Sequence, residues 1–229
     1  MKYKVSFSID FRRNPYRGKF IALEGIDGSG KTIQTARIVE ALKEKGYDAI
    51  GMKEPTDLVI GKFIKQEVLS GKISIPPVAI QYLFSADRSM HQVEIEKLLK
   101  KGKIIVSDRY FWSAVCYGIA DLDQVADYYI TVLSLLSPYN RFLKPDITYF
   151  LDIPIKTALK RIGKSSKHNE IYDNEKKLVK IKRAYDFIKK KFEKEFVAVD
   201  ADKTIEEVTD ELLKRIEKSA KRVHKVKSS

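Results

Sequence analysis

The chain runs to 229 residues, 44% of them apolar, enough for one large α/β domain with a full core. No apolar stretch approaches the ~18 residues of a membrane span, and the first residues lack the apolar core of a secretory signal. A lone cysteine, Cys116, rules out an internal disulfide, so the composition predicts a cytoplasmic protein with no membrane partner.

Taken in chain order, residues 1–18 show no periodicity and read as an extension ahead of the core. Lys19–Glu24 is a short apolar run, the pattern of a buried strand. It feeds Gly25-Ile26-Asp27-Gly28-Ser29-Gly30-Lys31-Thr32, which reads G-x-x-x-x-G-K-T. A mixed helical face follows from Thr32 to Lys45 and ends at Gly46. Further strands are expected at Tyr47–Lys53, Lys103–Ser107, Asp146–Leu151 and Phe196–Val199. Helical patterns lie between them, the longest from about Pro76 to Lys100. Between Glu175 and Lys194, the residues Leu178, Ile181, Tyr185, Ile188 and Phe192 form one apolar stripe with lysines around the rest. Thr204-x-x-Glu207 marks the start of a last helix with a capping box, and residues 221–229 form a basic tail. This alternation implies a mostly parallel sheet of about five strands with helices on both faces, a fold of the P-loop nucleotide-binding type in a single domain over residues 19–220.

The net charge is +13, from 44 basic and 31 acidic residues. Nucleic-acid binding, attraction of polyanionic nucleotides and the Lys/Glu-rich surface of a thermophile all produce such a balance. Because much of the charge falls on solvated helix faces, nucleic acid is the weakest of the three.

The glycine loop carries the chemistry. Glycines let backbone N–H groups curl around phosphate oxygens, and the following helix adds its N-terminal donors and dipole. Lys31 can reach the outer phosphates of ATP, and Thr32 can offer its hydroxyl to Mg²⁺. Ile104–Ser107 ends in Asp108-Arg109-Tyr110, and ligands in open α/β sheets bind at the carboxyl ends of strands. There Asp108 can hold Mg²⁺ through water and Arg109 can clamp a second phosphate. Cys116 reads as a small buried hydrophobe. His91 and His224 lack metal-ligand partners at useful spacing and read as surface or capping residues. Tyr128 and Tyr129, with Val125, Val132, Leu133 and Leu136, make a broad apolar face suited to the core or, second, to a partner.

Five segments in order resemble thymidylate kinases. The loop from Phe20 to Thr32, including Asp27, is similar to that family's phosphate loop. Lys53-Glu54-Pro55 resembles its Arg-Glu-Pro turn, and Leu83-Phe84-Ser85-Ala86-Asp87-Arg88 its base-binding helix. Asp108-Arg109-Tyr110-x-x-Ser113-x-x-x-Tyr117 is similar to its D-R-Y-x-x-S segment. Val199-Asp200-Ala201 and the helix after it resemble its adenine side. The resemblance implies transfer of the ATP γ-phosphoryl to dTMP with Mg²⁺, in a homodimer. It implies that Phe84 stacks on the pyrimidine and that Arg88 bonds its exocyclic oxygen. Arg109, helped by Lys53, would hold the acceptor phosphate. Asp27 would face the deoxyribose, Ser113 and Tyr117 would line the pocket, and Arg161 would cover adenine.

The departures fall at the catalytic lid, expected over residues 161–173. Members carry an arginine in the phosphate loop or in the lid, and this loop offers only Gly28 and Ser29. Glu170-Ile171-Tyr172-Asp173 resembles the lid's E-R-Y-E, with Ile171 in the arginine's place. Tyr172 remains a dTMP-side residue, and Lys164, Lys167 and His168 are the nearby cations. Lysine supplies a point charge without the arginine fork. Lys53 stands where the second motif has arginine, and Gly118 where many members have a base-reading glutamine. Two rivals follow. A deoxynucleoside kinase needs a base, for which Glu24 is the candidate, but that class has Glu-Arg-Ser where this chain has Asp108-Arg109-Tyr110. A nucleotide-binding protein with weakened kinase activity would fit the missing arginine.

Overall fold

The computed structural model describes residues 8–121, 132–163 and 168–219, the last span with side chains from residue 175 onward. Among the described residues, five strands form the sheet: β1 (Lys19–Glu24), β2 (Ala49–Lys53), β3 (Ile104–Asp108), β4 (Ile147–Asp152) and β5 (Phe196–Asp200). They lie in the order β2-β3-β1-β4-β5, and every pairing is parallel. The near-continuous apolar runs of β1 and β3 follow from burial on both faces.

Helices among the described residues include α1 (Lys31–Glu44), α2 (Val59–Phe63, continued by a π-helical turn Ile64–Val68), α3 (Pro77–Lys100), α4 (Phe111–Ala120), α5 (Ile155–Ile162), α6 (His168–Lys191) and α7 (Ile205–Ser219). Right-handed crossovers fix their layers. The step from β1 out to β2 puts α1 on one face, where it meets α7. The return steps put α3, α4 and α6 on the other face, with α4 packed between its two neighbours. The expected fold class therefore holds.

Element boundaries differ in an instructive way. β3, β4 and β5 each run one residue past the expected apolar end, into Asp108, Asp152 and Asp200. Register sets Lys53 and Leu23 opposite Asp108. The carboxyl edge of the sheet is thus lined with charge. β2 starts two residues late because the Tyr47 N–H closes the end of α1 on the Leu42 carbonyl. The capping box of α7 forms as expected, with Thr204 and Glu207 bonded reciprocally.

Residues 8–18 pack on the domain despite their lack of periodicity. Phe11 stacks on Phe111 at 5.4 Å and meets Trp112 edge-on at 5.9 Å. Arg12 and Tyr16 both reach Glu96 of α3, at 2.7 and 2.8 Å. Asn14 bonds Asp146 at 2.8 Å.

Candidate active site

The turn between β1 and α1 builds the first half of the site. Lys31 opens α1, and its Nζ curls back onto the carbonyls of Gly25 (3.1 Å) and Ile26 (2.8 Å) and onto Ser29 Oγ (3.3 Å). Burial, then repulsion from Arg109, bring this ammonium down to about 7; Asp27, Asp108 and Glu24 pull the other way. Gly28 has φ +79°, and a Cβ there would sit 2.7 Å from the Ala158 carbonyl oxygen. The loop is pressed so closely against α5 that only glycine fits.

The second half comes from the end of β3. Asp108 is buried and accepts the Thr32 hydroxyl, with Lys53 Nζ at 3.9 Å from the same carboxylate. A hydroxyl and a carboxylate in contact beside a phosphate loop are hard oxygen donors that suit Mg²⁺, which takes few protein ligands and keeps water or phosphate oxygens. Arg109 sits at φ 74°, a left-handed conformation uncommon outside glycine. That turn aims its guanidinium back over the loop. Nη1 bonds Ser113 Oγ (3.0 Å) and the Gly25 carbonyl (3.4 Å); Nη2 pairs with Asp27 and bonds Tyr117 OH (3.1 Å). Tyr117 also donates to Asp27 at 2.8 Å. Burial alone would raise the Asp27 carboxyl, but Arg109 and then Lys31 hold it below its usual range.

Glu24 is fully buried and accepts four bonds: backbone N–H groups of Tyr110 and Ser113, and the hydroxyls of Ser113 and Tyr185. Burial raises its carboxyl, opposed by those hydrogen bonds. It caps the N-terminus of α4 rather than facing a substrate, which removes the candidate base of the hydroxyl-kinase reading. Ser113 is buried with it, and its Oγ also accepts from Arg109 Nη1.

On α3, Phe84 is half-buried and Arg88 lies one turn further along. Arg88 pairs with neither Asp87 nor Glu94. It is buried on Glu54, with Nε to Oε2 at 2.6 Å and Nη2 on the same oxygen; Nη1 donates to the Tyr139 hydroxyl. Glu54 is buried too, while its neighbours Lys53 and Pro55 line a cavity. Asp87 takes the Thr56 N–H (2.8 Å) and hydroxyl (2.6 Å). His91 corrects an expectation: it is no surface residue but is 3% exposed, with Nδ1 3.2 Å from Glu54 Oε1. Cys116 is buried, and burial pushes its thiol well up, as a small hydrophobe requires.

The phosphate loop opens onto a cavity of about 790 Å³ whose walls include Asp27 to Gln34, Lys53, Asp108, Arg109, Arg161 and Ala201. Arg161 lies across its far end, bonded to the Ala201 carbonyl at 3.0 Å and near that of Gly28 at 3.5 Å. Lys160 and Lys203 add cations to the rim. Of the lid residues, Lys164 and Lys167 lie outside the described residues, as do the side chains of Ile171 and Tyr172; the α6 backbone begins at His168. Tyr128, Tyr129 and His224 also lie outside.

A glycine phosphate loop facing an Asp-Arg pair across adjacent parallel strands, with α3 alongside, defines a P-loop kinase of nucleoside monophosphates. A family model for thymidylate kinase matches residues 23–212. The probable thymidylate kinase of Thermococcus onnurineus is 35% identical over 212 residues, covering 86% of this chain and 97% of that protein. The probable thymidylate kinase of Methanocaldococcus jannaschii is 36% identical over 197 residues, covering 85% and 93%. The solved thymidylate kinase of Candida albicans matches with a TM-score of 0.73 at 29% identity, over 93% of this chain and 96% of that one. The chain belongs to the thymidylate kinase family.

Proposed function

We propose that this protein transfers the γ-phosphoryl of ATP to dTMP, giving ADP and dTDP. One observation carries the reading. Two phosphate-seeking centres, the Lys31 loop and Arg109 with Lys53, line one cavity around Asp108 at the carboxyl edge of the sheet. The acceptor phosphate is already ionised at neutral pH, so the chain needs no general base and works by positioning and charge neutralisation. Lys31 and the loop N–H groups hold the donor phosphates. Arg109 exchanges part of its grip on Asp27 for the acceptor phosphate, with Lys53 beside it. Thr32 and, through water, Asp108 would hold Mg²⁺, which supplies neutralisation of charge on the transferring group. Phe84 stacks on the base and the second N–H of Arg88 Nη1 bonds its exocyclic oxygen; Asp27, Tyr117 and Tyr172 complete the deoxyribose side. Glu54 acts from behind, through Arg88. Arg161 and Ala201 frame the adenine.

The lid over residues 161–173 closes to exclude water, with Lys164 and Lys167 in place of the arginine fork. The kinase domain spans 19–220, between the extension 1–18 and the basic tail 221–229. We place the enzyme in the cytoplasm as a homodimer, with nucleotides and not nucleic acid as partners. Ile171, in the position of the lid arginine, supports one further reading: a protein of this family with weakened turnover. Coupled ADP release over a panel of nucleoside monophosphates tests both. Saturable release with dTMP above the other acceptors supports the kinase, and nucleotide binding without release supports the second reading.

A further inference from the structure

Glu54, Arg88 and His91 lie behind the acceptor side of the site with side chains 2%, 1% and 4% exposed. Glu54 follows Lys53 at the end of β2, and Arg88 and His91 share one face of α3, three residues apart. The carboxylate bridges them. Oε2 takes Arg88 Nε at 2.6 Å and Oε1 takes His91 Nδ1 at 3.2 Å. Arg88 is braced from the far side as well, by the Tyr139 hydroxyl, itself 3.1 Å from Ser85 Oγ, and by the Tyr110 carbonyl at 3.3 Å. Asp87 fastens Thr56 at the adjoining position. The helix that carries Phe84 is thus fixed to residues 54–56 at two neighbouring points, both out of water.

A carboxylate bound at one oxygen can still turn about its last torsion and carry a paired guanidinium with it. Bound at both oxygens it cannot. A buried ion pair is also tolerated only when its remaining lone pairs find partners, and His91 supplies one to Oε1, the oxygen that Arg88 leaves. We propose that His91 is a positioning residue for acceptor selection. By donating Nδ1–H to Glu54 Oε1 it keeps Glu54 Oε2 on Arg88, and so fixes the Arg88 guanidinium relative to Phe84 on α3 and Lys53 on β2. This rests on the reading of Arg88 as the contact to the base. Base recognition and acceptor-phosphate recognition then behave as one unit, held by a histidine whose Nδ1 is engaged on Glu54.

The test is steady-state kinetics of the full chain with dTMP, dUMP and dCMP, for wild type, His91→Leu and His91→Asn, alongside thermal melting. In His91→Leu, KM for dTMP should rise about tenfold, the worth of one charge-assisted hydrogen bond. The dTMP to dCMP ratio of kcat/KM should narrow by a similar factor, with KM for ATP within twofold of wild type. His91→Asn, whose side-chain N–H can replace Nδ1–H, should recover the ratio. If His91→Leu does not fold, His91→Gln carries the same readout, since its amide N–H takes the place of Nε2 and leaves Glu54 Oε1 without the Nδ1 donor. A wild type with no preference for dTMP would overturn the acceptor-site reading and this inference together. A wild type that prefers dTMP, with a ratio unchanged in the variant while Tm falls, would overturn the positioning role alone.

Discussion

Raising the pH from 7.5 to 9 should weaken ATP binding steeply, because of Lys31. An exposed lysine keeps its proton to 10.5, but burial, then Arg109, bring Lys31 down to about 7. Bound phosphates supply the counter-charge that burial denies it, and restore the proton. The sign follows: ATP binds the protonated form, so affinity is full below the free-site value and is lost as pH rises through it. With a free value near 7, the protonated fraction is roughly a quarter at pH 7.5 and ~1% at pH 9, so affinity should fall about 20-fold, or ~2 kcal/mol. The nucleotide's own phosphates have finished ionising by pH 7.5, since their last proton leaves near ~6. Calorimetric titration with saturating Mg²⁺ in buffers of different ionisation enthalpy reads both the affinity and the proton taken up. Lys31→Ala should bind weakly at every pH and show no such slope. A wild type whose affinity changes less than twofold over this range, or a Lys31→Ala variant with the same slope, would refute the assignment of the titration to Lys31.

Four further outcomes are expected. Ile171→Arg should speed turnover, since a transition-state arginine is worth about 10³–10⁵ in related phosphoryl transfer. Gly28→Arg should not, because its left-handed φ costs a side chain ~1–2 kcal/mol and its Cβ would strike the Ala158 carbonyl. An unchanged rate in Ile171→Arg, with a harmless Lys164→Ala/Lys167→Ala double variant, would sink the lid reading. Acceptor use should run dTMP, then dUMP, then dCMP: Gly118 has no side chain to read the ring edge, the methyl is worth only ~1–3 kcal/mol, and the cytosine amino group would face the Arg88 donor. A preference for dCMP in kcat/KM would reject Phe84 and Arg88 as the base site. Phe11→Ala should cost about 1–3 kcal/mol and lower Tm by several degrees without moving KM for dTMP. An unchanged Tm would show that the stacking on Phe111 contributes nothing.

What the sequence made legible was whatever depends on neighbours in the chain. The glycine loop, the apolar runs feeding it, and the Asp108-Arg109 pair at a strand end are all local patterns with a local physical reason. What stayed hidden were partnerships across the chain. His91 looked like a lone histidine because its partner Glu54 lies 37 residues away. The buried face of α3 carries Gln81, Asp87, Arg88, His91 and Gln92, so it shows no clean apolar stripe; polar groups can be buried there only because residues from other elements complete their bonds. Glu24 reads as a base from residue type alone, whereas Tyr110, Ser113 and Tyr185 from other elements occupy it. Tyr139 gave no signal at all, since its role is to receive Arg88 from 51 residues away. Residues 8–18 follow the contours of three different elements and therefore have no period of their own.

The most direct test is transfer of label from γ-phosphate-labelled ATP to dTMP with Mg²⁺ present. The account predicts labelled dTDP in step with ADP for the wild type, and none for Lys31→Ala that still melts cooperatively. Label released as inorganic phosphate with no dTDP, or undiminished dTDP from Lys31→Ala, would contradict it.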